Sequence, residues 1–220
     1  MTQKLPALPP RIQALPRDHR GFPVPWFVTW FDGDKPAPFG VGTPDFRVAD
    51  ATKLGRAVKE NRCWVCGGVM GVHKAFTIGP MCAINRTSAE PPGHRECAIF
   101  SATACPFLTR PRMRRNDNDL PDDTKEPGGV FLTRNPGVAC VWLTKSYRLR
   151  TATGGVVFVI DDPNEVLWFC EGRAATRAEV AASIDSGWPL LVEMAEREGE
   201  AAMKQLLAQR ARAMAFVPAE

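Results

Sequence analysis

Two pairs of cysteine and histidine residues constrain this chain more than any other feature of its sequence. The first pair is Cys63 and Cys66, followed by a glycine, and the second pair is His94 and Cys97. A two-residue spacing lets a tight turn present two thiolates to one ion, with backbone N–H groups directed at the sulfurs. Ligands three residues apart share one helix face, so a helix beginning near Pro92 would direct both at the same ion. The pattern predicts one structural Zn²⁺ ion bound by these four side chains.

The remaining composition favours a metal site over a disulfide framework. Seven cysteines are an odd number, and five of them fall between positions 63 and 105. The N-terminus has no apolar core of the kind that an export signal requires, so we expect a cytoplasmic protein with reduced thiols. The longest apolar runs, such as residues 156–160, are far shorter than the roughly 20 residues that span a bilayer, so no membrane partner is expected.

Three other residues are alternative ligands. Cys82, Cys105 and His73 lie close enough in sequence to replace one of the four, although apolar packing is the favoured interpretation for both cysteines. Cys140 and Cys170 fall in strand-like runs, which predicts core positions. Four protein ligands would close a tetrahedral site and leave no position for a substrate, so the predicted role of the zinc is structural.

The segment between the two ligand pairs carries a resemblance to a known family. Residues 74–78 and 81–86 flank Gly79-Pro80 and predict a β-hairpin. A zinc knuckle, a hairpin and a helix with two ligands resemble a treble-clef zinc finger, and the resemblance covers Cys63 to about Cys105. The chain as a whole resembles uncharacterised bacterial and bacteriophage proteins, a resemblance that implies no activity.

Composition and periodicity predict an α+β fold, with a treble-clef-like zinc module followed by a small antiparallel sheet and C-terminal helices. Hydrophobic residues make up 45% of the 220 and charged residues 24%, an ordinary globular balance. We expect a proline-rich extended arm over residues 1–25, and N-terminal strands, a helix and the zinc module over 26–108. A charged loop over 109–129 then leads to the sheet and helices of 130–220.

Several local signals place the elements of these regions. Residues 26–31 predict a strand paired with residues 45–48, and Asp50 is positioned to cap a following helix. Three strand-like runs cover residues 130–133, 138–149 and 155–160, the last two joined by a hairpin turn, and residues 166–170 predict a further strand. In the helical C-terminal third, Thr176 and Glu179 form a predicted capping box, Gly187 is a predicted helix stop, and Gly199 is a predicted kink.

Basic side chains indicate a nucleic-acid partner, DNA or RNA. Arginine suits phosphate contacts and guanine edges, and Trp142 and Tyr147 are near enough in sequence to offer base stacking. The net charge of +4 is too small to establish such a partner by itself. Acidic residues over 117–123 leave a self-paired, solvated loop as the alternative. The candidate contacts are Arg110, Arg112, Arg114, Arg115, Lys145 and Arg148.

An enzyme and a protein-interaction factor are the two alternative functions. The order of the ligands is the reverse of that in zinc deaminases, and His73 is misplaced for an HNH-type nuclease. If the protein is an enzyme acting on nucleic acid or nucleotides, the candidates lie between the predicted hairpin and helix, at Asn85, Arg86, Ser88 and Glu90. The protein-interaction alternative rests on an apolar stripe along residues 188–217.

Overall fold

The computed structural model describes residues 6–111, 113, 114, 116, 118, 120, 134–152 and 154–219. The helices within these residues are α1 (Pro10–Gln13), α2 (Ala51–Lys59), α3 (Pro80–Asn85), α4 (Arg95–Ala104), α5 (Pro106–Thr109), α6 (Arg177–Glu198) and α7 (Glu200–Met214). The strands are β1 (Val28–Asp32), β2 (Lys35–Ala37), β3 (Thr43–Ala49), β4 (Lys74–Ile78), β5 (Thr87–Ser88), β6 (Ala139–Thr144), β7 (Tyr147–Ala152), β8 (Gly155–Ile160), β9 (Glu165–Cys170) and β10 (Arg173–Ala174).

A four-stranded antiparallel sheet, ordered β10-β9-β6-β4, separates two layers of the fold. Alternate residues of a strand face opposite sides. Phe76 and Trp142 therefore face a core formed with α3, α6, α7 and β8. Ala75 and Val141 face the other side, where they pack against α4. The sheet thus supports the helix that carries the second pair of predicted metal ligands.

Two three-stranded sheets flank this centre, ordered β2-β1-β3 and β5-β8-β7. The predicted pairing of the first strand with residues 45–48 is confirmed, because β1 is antiparallel to β3. Asp50 caps α2 as predicted, since its carboxylate accepts a hydrogen bond from the backbone N–H of Thr52 at 3.0 Å. Within the described residues, no helix combines the length and apolar character that crossing a bilayer requires.

Most predictions for the C-terminal half are confirmed. β7 and β8 form the predicted hairpin, β9 covers the predicted strand at 166–170, and Thr176 and Glu179 form the capping box. The run at 138–149 is divided into β6 and β7 by a turn at Lys145 and Ser146. The predicted strand at 130–133 and most of the predicted loop at 109–129 lie outside the described residues.

The predicted hairpin between the ligand pairs is wrong in its second strand. Residues 80–85 form α3 instead, with Pro80 in its first turn and Gly79 as its N-cap. The fixed φ of proline suits the first turn of a helix, and that turn needs no N–H donor from it. β4 pairs along its length with β6, and only an isolated bridge between Ala75 and Gly93 joins it to the chain before α4.

The predicted helix stop at Gly187 is also wrong, because α6 continues through Gly187 and Pro189. A Cβ atom at Gly187 would lie 2.8 Å from the sulfur of Met81 in α3. The glycine therefore allows close packing between two helices rather than ending one. The helix ends at Gly199, the site of the predicted kink, where a φ of 100° separates α6 from α7.

The N-terminal segment, predicted as an extended arm, contains short turns and packs against the rest of the chain. Residues 10–13 form α1, and the side chains of Ile12 and Val24 are fully buried. A bridge between Arg17 and Pro23 closes a turn between them. This segment packs against the zinc-ligand region described next.

Candidate metal centre

The structure brings together the four residues that the sequence predicts as ligands. Cys63 and Cys66 lie in the turn between α2 and β4, His94 is the N-cap of α4, and Cys97 lies in the first turn of that helix. One ligand atom of each lies within 4.8 Å of the others. A tetrahedral zinc ion with bonds of about 2.0–2.3 Å separates its ligand atoms by roughly 3.3–3.8 Å, so the cluster is close to the required size.

The turn that carries the first pair spans residues 63–68, and we call it the knuckle. The N–H of Cys63 donates to the carbonyl of Gly68 at 2.8 Å, and the N–H of Gly67 donates to the carbonyl of Cys63 at 2.8 Å. Gly67 has a φ of +72°, a conformation that glycine adopts without strain. The N–H of Cys66 points at the sulfur of Cys63 at 3.4 Å. The knuckle therefore presents both sulfurs to one side and supports one of them with a backbone donor.

His94 is oriented for metal binding through Nδ1. Its Nδ1 lies 3.3 Å from the sulfur of Cys66 and 4.0 Å from the sulfur of Cys97. Its other ring nitrogen, Nε2, lies 3.1 Å from the carbonyl oxygen of Val69 and donates to it. That hydrogen bond fixes the tautomer whose Nδ1 lone pair is free to bind an ion. The backbone N–H of His94 points at the sulfur of Cys63 at 3.3 Å.

The electrostatics of the cluster favour a bound cation. Hydrogen bonds from the thiols of Cys66 and Cys97 hold the pKa of Cys63 far below its usual range. The Cys63 thiolate in turn raises the pKa of Cys97, of Cys66 and of His94. Three thiolates this close repel one another, and a divalent cation removes that repulsion by binding all three. Three thiolates and one imidazole are a donor set that zinc prefers.

The centre is largely enclosed by apolar side chains and lies beside an ion pair between α1 and α4. Cys63 and Cys97 are fully buried in a cluster with Ile12 and Met70. Arg11, next to Ile12 in α1, forms an ion pair with Glu96 of α4 at 3.1 Å. The N-terminal segment therefore connects to both halves of the centre, an arrangement that the proline-rich sequence did not reveal.

Removing the metal is expected to release this N-terminal segment. The segment packs against the turns that carry the proposed ligands. If those turns lose their order without the metal, the backbone around Arg17 and Arg20 becomes accessible to trypsin. We expect a chelator to accelerate cleavage after these residues and added Zn²⁺ to restore protection, as followed by mass spectrometry. Cleavage after Lys204 in α7 provides the internal control. Equal cleavage rates with and without chelator at Arg17 and Arg20 would contradict this coupling.

The alternative ligands lie outside the cluster of four. His73 is exposed in the chain before β4. Cys82 lies in α3 and packs against the main core, and burial raises the pKa of its thiol to about 11. Cys105 follows the last residue of α4 and caps that end of the helix. Cys140 and Cys170 are buried in strands β6 and β9, as predicted.

The predicted nucleic-acid contacts do not form one compact patch. The carbonyl of Arg110 accepts a hydrogen bond from Asn135, which precedes β6, and Arg114 forms a bridge with Arg134. Lys145 and Arg148 follow the other end of β6. Six strand residues span about 20 Å, so that distance separates the two groups along the strand. Arg112 and Arg115 lie outside the described residues.

The prediction that Trp142 offers base stacking is wrong, because its ring lies in the core. Trp142 is 1% exposed, and its Nε1–H donates to the carbonyl of Asp161. Tyr147 is half-buried and packs edge-on against Phe76 and Phe158. Trp142 lies on the side of β6 that packs into the main core, and α4 covers the other side of the strand.

The polar candidates for catalysis mainly organise turns. The carboxamide oxygen of Asn85 accepts hydrogen bonds from the N–H and hydroxyl of Thr87. The Ser88 hydroxyl donates to the carbonyl of Glu90 and accepts from its N–H. Arg86 forms an ion pair with Asp162. These contacts stabilise the turns that follow α3.

Comparison with protein family models, with curated proteins and with solved structures gives no match. The resemblances to treble-clef fingers and to bacterial and bacteriophage proteins therefore remain predictions. Two features of that pattern agree with the structure, a turn with two cysteines and a helix that begins between His94 and Cys97, whereas the second strand of the hairpin is a helix.

Proposed function

We propose that this protein binds nucleic acid and that one structural zinc ion stabilises its fold. The four clustered donors support the structural role, because together they complete a tetrahedral shell without an open position for water or substrate. A catalytic zinc requires such a position. The metal therefore contributes to stability and positions nearby loops, and it performs no chemistry on a substrate.

The observation that carries the nucleic-acid proposal is the exposed basic edge formed by β7. Lys145, Arg148 and Arg150 are exposed at and just before this edge strand. The Arg148 side chain is 76% exposed, and its pair with Asp161 is long, at 3.9 Å. Exposed arginine and lysine side chains supply most of the affinity for a phosphate backbone.

The two alternative functions have weaker support. A shallow depression on α7 of about 330 Å³ holds no nucleophile paired with a base, because alanine, glutamine, lysine and arginine line it. The apolar stripe of the C-terminal helices is directed into the core through Leu191, Leu206 and Val217. Packing in the core therefore accounts for the apolar stripe, and no protein partner is needed to cover it.

The proposal predicts salt-dependent retention of nucleic acid. We expect the zinc-loaded protein to bind fluorescently labelled DNA and RNA oligonucleotides in anisotropy titrations at about 50 mM salt. With three phosphate contacts, the slope of log affinity against log salt should be about −2 for a single strand and about −3 for a duplex. Absence of binding to every DNA and RNA probe at low salt would contradict the proposed function.

A further inference from the structure

One end of the four-stranded sheet brings the knuckle next to the basic edge of β7. Lys74, the first residue of β4, lies directly opposite Thr144, the last residue of β6. Opposed residues of antiparallel strands have Cα atoms about 4.5–5.5 Å apart. Lys145 follows Thr144 and leads into β7. The tip loop (residues 69–73), which connects the knuckle to β4, therefore meets the turn that begins β7.

The tip loop presents apolar side chains on a firmly held backbone. Val69 is 62% exposed and Val72 is 66% exposed. The N–H of Met70 donates to the carbonyl of Asn61 at 2.9 Å, and the Asn61 carboxamide donates to the carbonyl of Met70 at 2.6 Å. His94, a proposed zinc ligand, donates to the carbonyl of Val69. The metal centre thus fixes the backbone beside one of the exposed valines.

The surroundings of the tip loop carry a surplus of positive charge. No aspartate or glutamate occurs from position 61 to position 89 of the sequence. Among the described residues, Lys145 and Arg150 have no carboxylate partner. Two carboxylates at this end of the sheet form close ion pairs, Asp162 with Arg86 and Glu165 with Arg95, and Asp161 lies 3.9 Å from Arg148.

We propose that a single strand of nucleic acid binds across this end of the sheet and along the edge strand β7, from Lys145 to Arg150, an inference that rests on the function proposed above. Its phosphates contact Lys145 and Arg150, and its bases pack against Val69 and Val72. Exposed apolar side chains beside cations suit a single strand, because base faces are accessible there and are stacked within a duplex. Arg110 and Arg114, at the start of β6, lie outside this surface.

The experiment compares paired variants of the full-length, zinc-loaded protein. V69S/V72S removes the apolar contacts, and K145A/R150A removes two cations. The matched controls are L207S, at an exposed apolar position on α7, and R110A/R114A, which removes the same charge at the other end of the sheet. The probes are a labelled oligothymidine of about 20 nucleotides and a duplex of the same length, read by anisotropy. Zinc content and thermal melting establish that each variant is folded.

We expect V69S/V72S to weaken oligothymidine binding about tenfold, because the serines lose the burial of apolar area that bases covering the two valines provide. K145A/R150A should reduce the magnitude of the salt slope by about 1.4, because each single-strand phosphate contact contributes about 0.7. Both controls should bind as the wild type does, and the duplex should bind more weakly than the single strand.

The failures of the two proposals are distinguishable. If the wild type binds neither probe at low salt, the nucleic-acid function itself is rejected. If the wild type binds and only R110A/R114A weakens it, the function stands and the proposed surface is wrong. A duplex that binds as tightly as the single strand would overturn the preference for single strands.

Discussion

Replacing Cys63 with alanine is expected to abolish metal binding and to unfold the lobe built around the knuckle. Cys63 is fully buried, and the backbone N–H groups of Cys66 and His94 point at its sulfur. Structural zinc contributes about 10–16 kcal/mol of apparent free energy in zinc-finger peptides. Even half of that loss would lower the melting temperature by about 10 °C or more in a chain of this size.

Zinc content by elemental analysis and melting by circular dichroism would measure both effects. Cys82→Ala is the matched control, because Cys82 lies in α3 and outside the cluster of four. We expect that variant to retain one zinc ion per chain. A Cys63→Ala protein that keeps stoichiometric zinc and the wild-type melting temperature would contradict the proposed ligand set.

Substitution of Gly67 by alanine is expected to produce the second-largest loss of folding stability. The φ of Gly67 is +72°, and a Cβ atom there would lie 2.7–3.0 Å from the ring of Trp26. The left-handed backbone costs about 1–2 kcal/mol for a residue with a Cβ, and overpacking costs about 1–3 kcal/mol more. We therefore expect the free energy of unfolding to fall by about 2–5 kcal/mol, with weaker zinc binding.

Urea denaturation and competition with a chromogenic chelator would measure these two quantities. Gly71→Ala is the matched control, since Gly71 lies in the tip loop and a Cβ atom there meets nothing within 4 Å. Its effect on unfolding should stay within about 0.5 kcal/mol. If Gly67→Ala and Gly71→Ala changed the free energy of unfolding equally, the knuckle would not depend on the backbone conformation of Gly67.

The features that could be predicted from the sequence depend on residues that are close together along the chain. The spacing of Cys63 and Cys66, and that of His94 and Cys97, depends on one turn and one helix start, so the cluster follows from short-range geometry. The capping box at Thr176 depends on residues within one helical turn in the same way.

Contacts between residues that are far apart in sequence explain most of the predictions that were wrong. β4 pairs with β6, which is far away in sequence, so residues 80–85 are free to form a helix that packs into the core. The role of Gly187 depends on contact with Met81 of another helix. Periodicity within a segment carries no information about such partners, and tertiary packing overrides local signals.

The burial of the N-terminal segment has the same origin. Ile12 and Leu15 are spaced for one helix face, but only the knuckle and α4 provide the surface that buries them. The burial of Trp142 likewise depends on long-range packing, because α3, α6, α7 and β8 cover its side of β6 and α4 covers the other side. The sequence indicated a binding role for Trp142, and the sheet instead uses it for packing.

X-ray absorption spectroscopy at the zinc K-edge of the purified protein would count the ligands of the ion. We expect one zinc ion per chain with three sulfur ligands at about 2.3 Å and one nitrogen ligand at about 2.0–2.1 Å. A chain without zinc, or a zinc shell that includes a water oxygen in place of one of these ligands, would contradict a closed structural centre formed by Cys63, Cys66, His94 and Cys97.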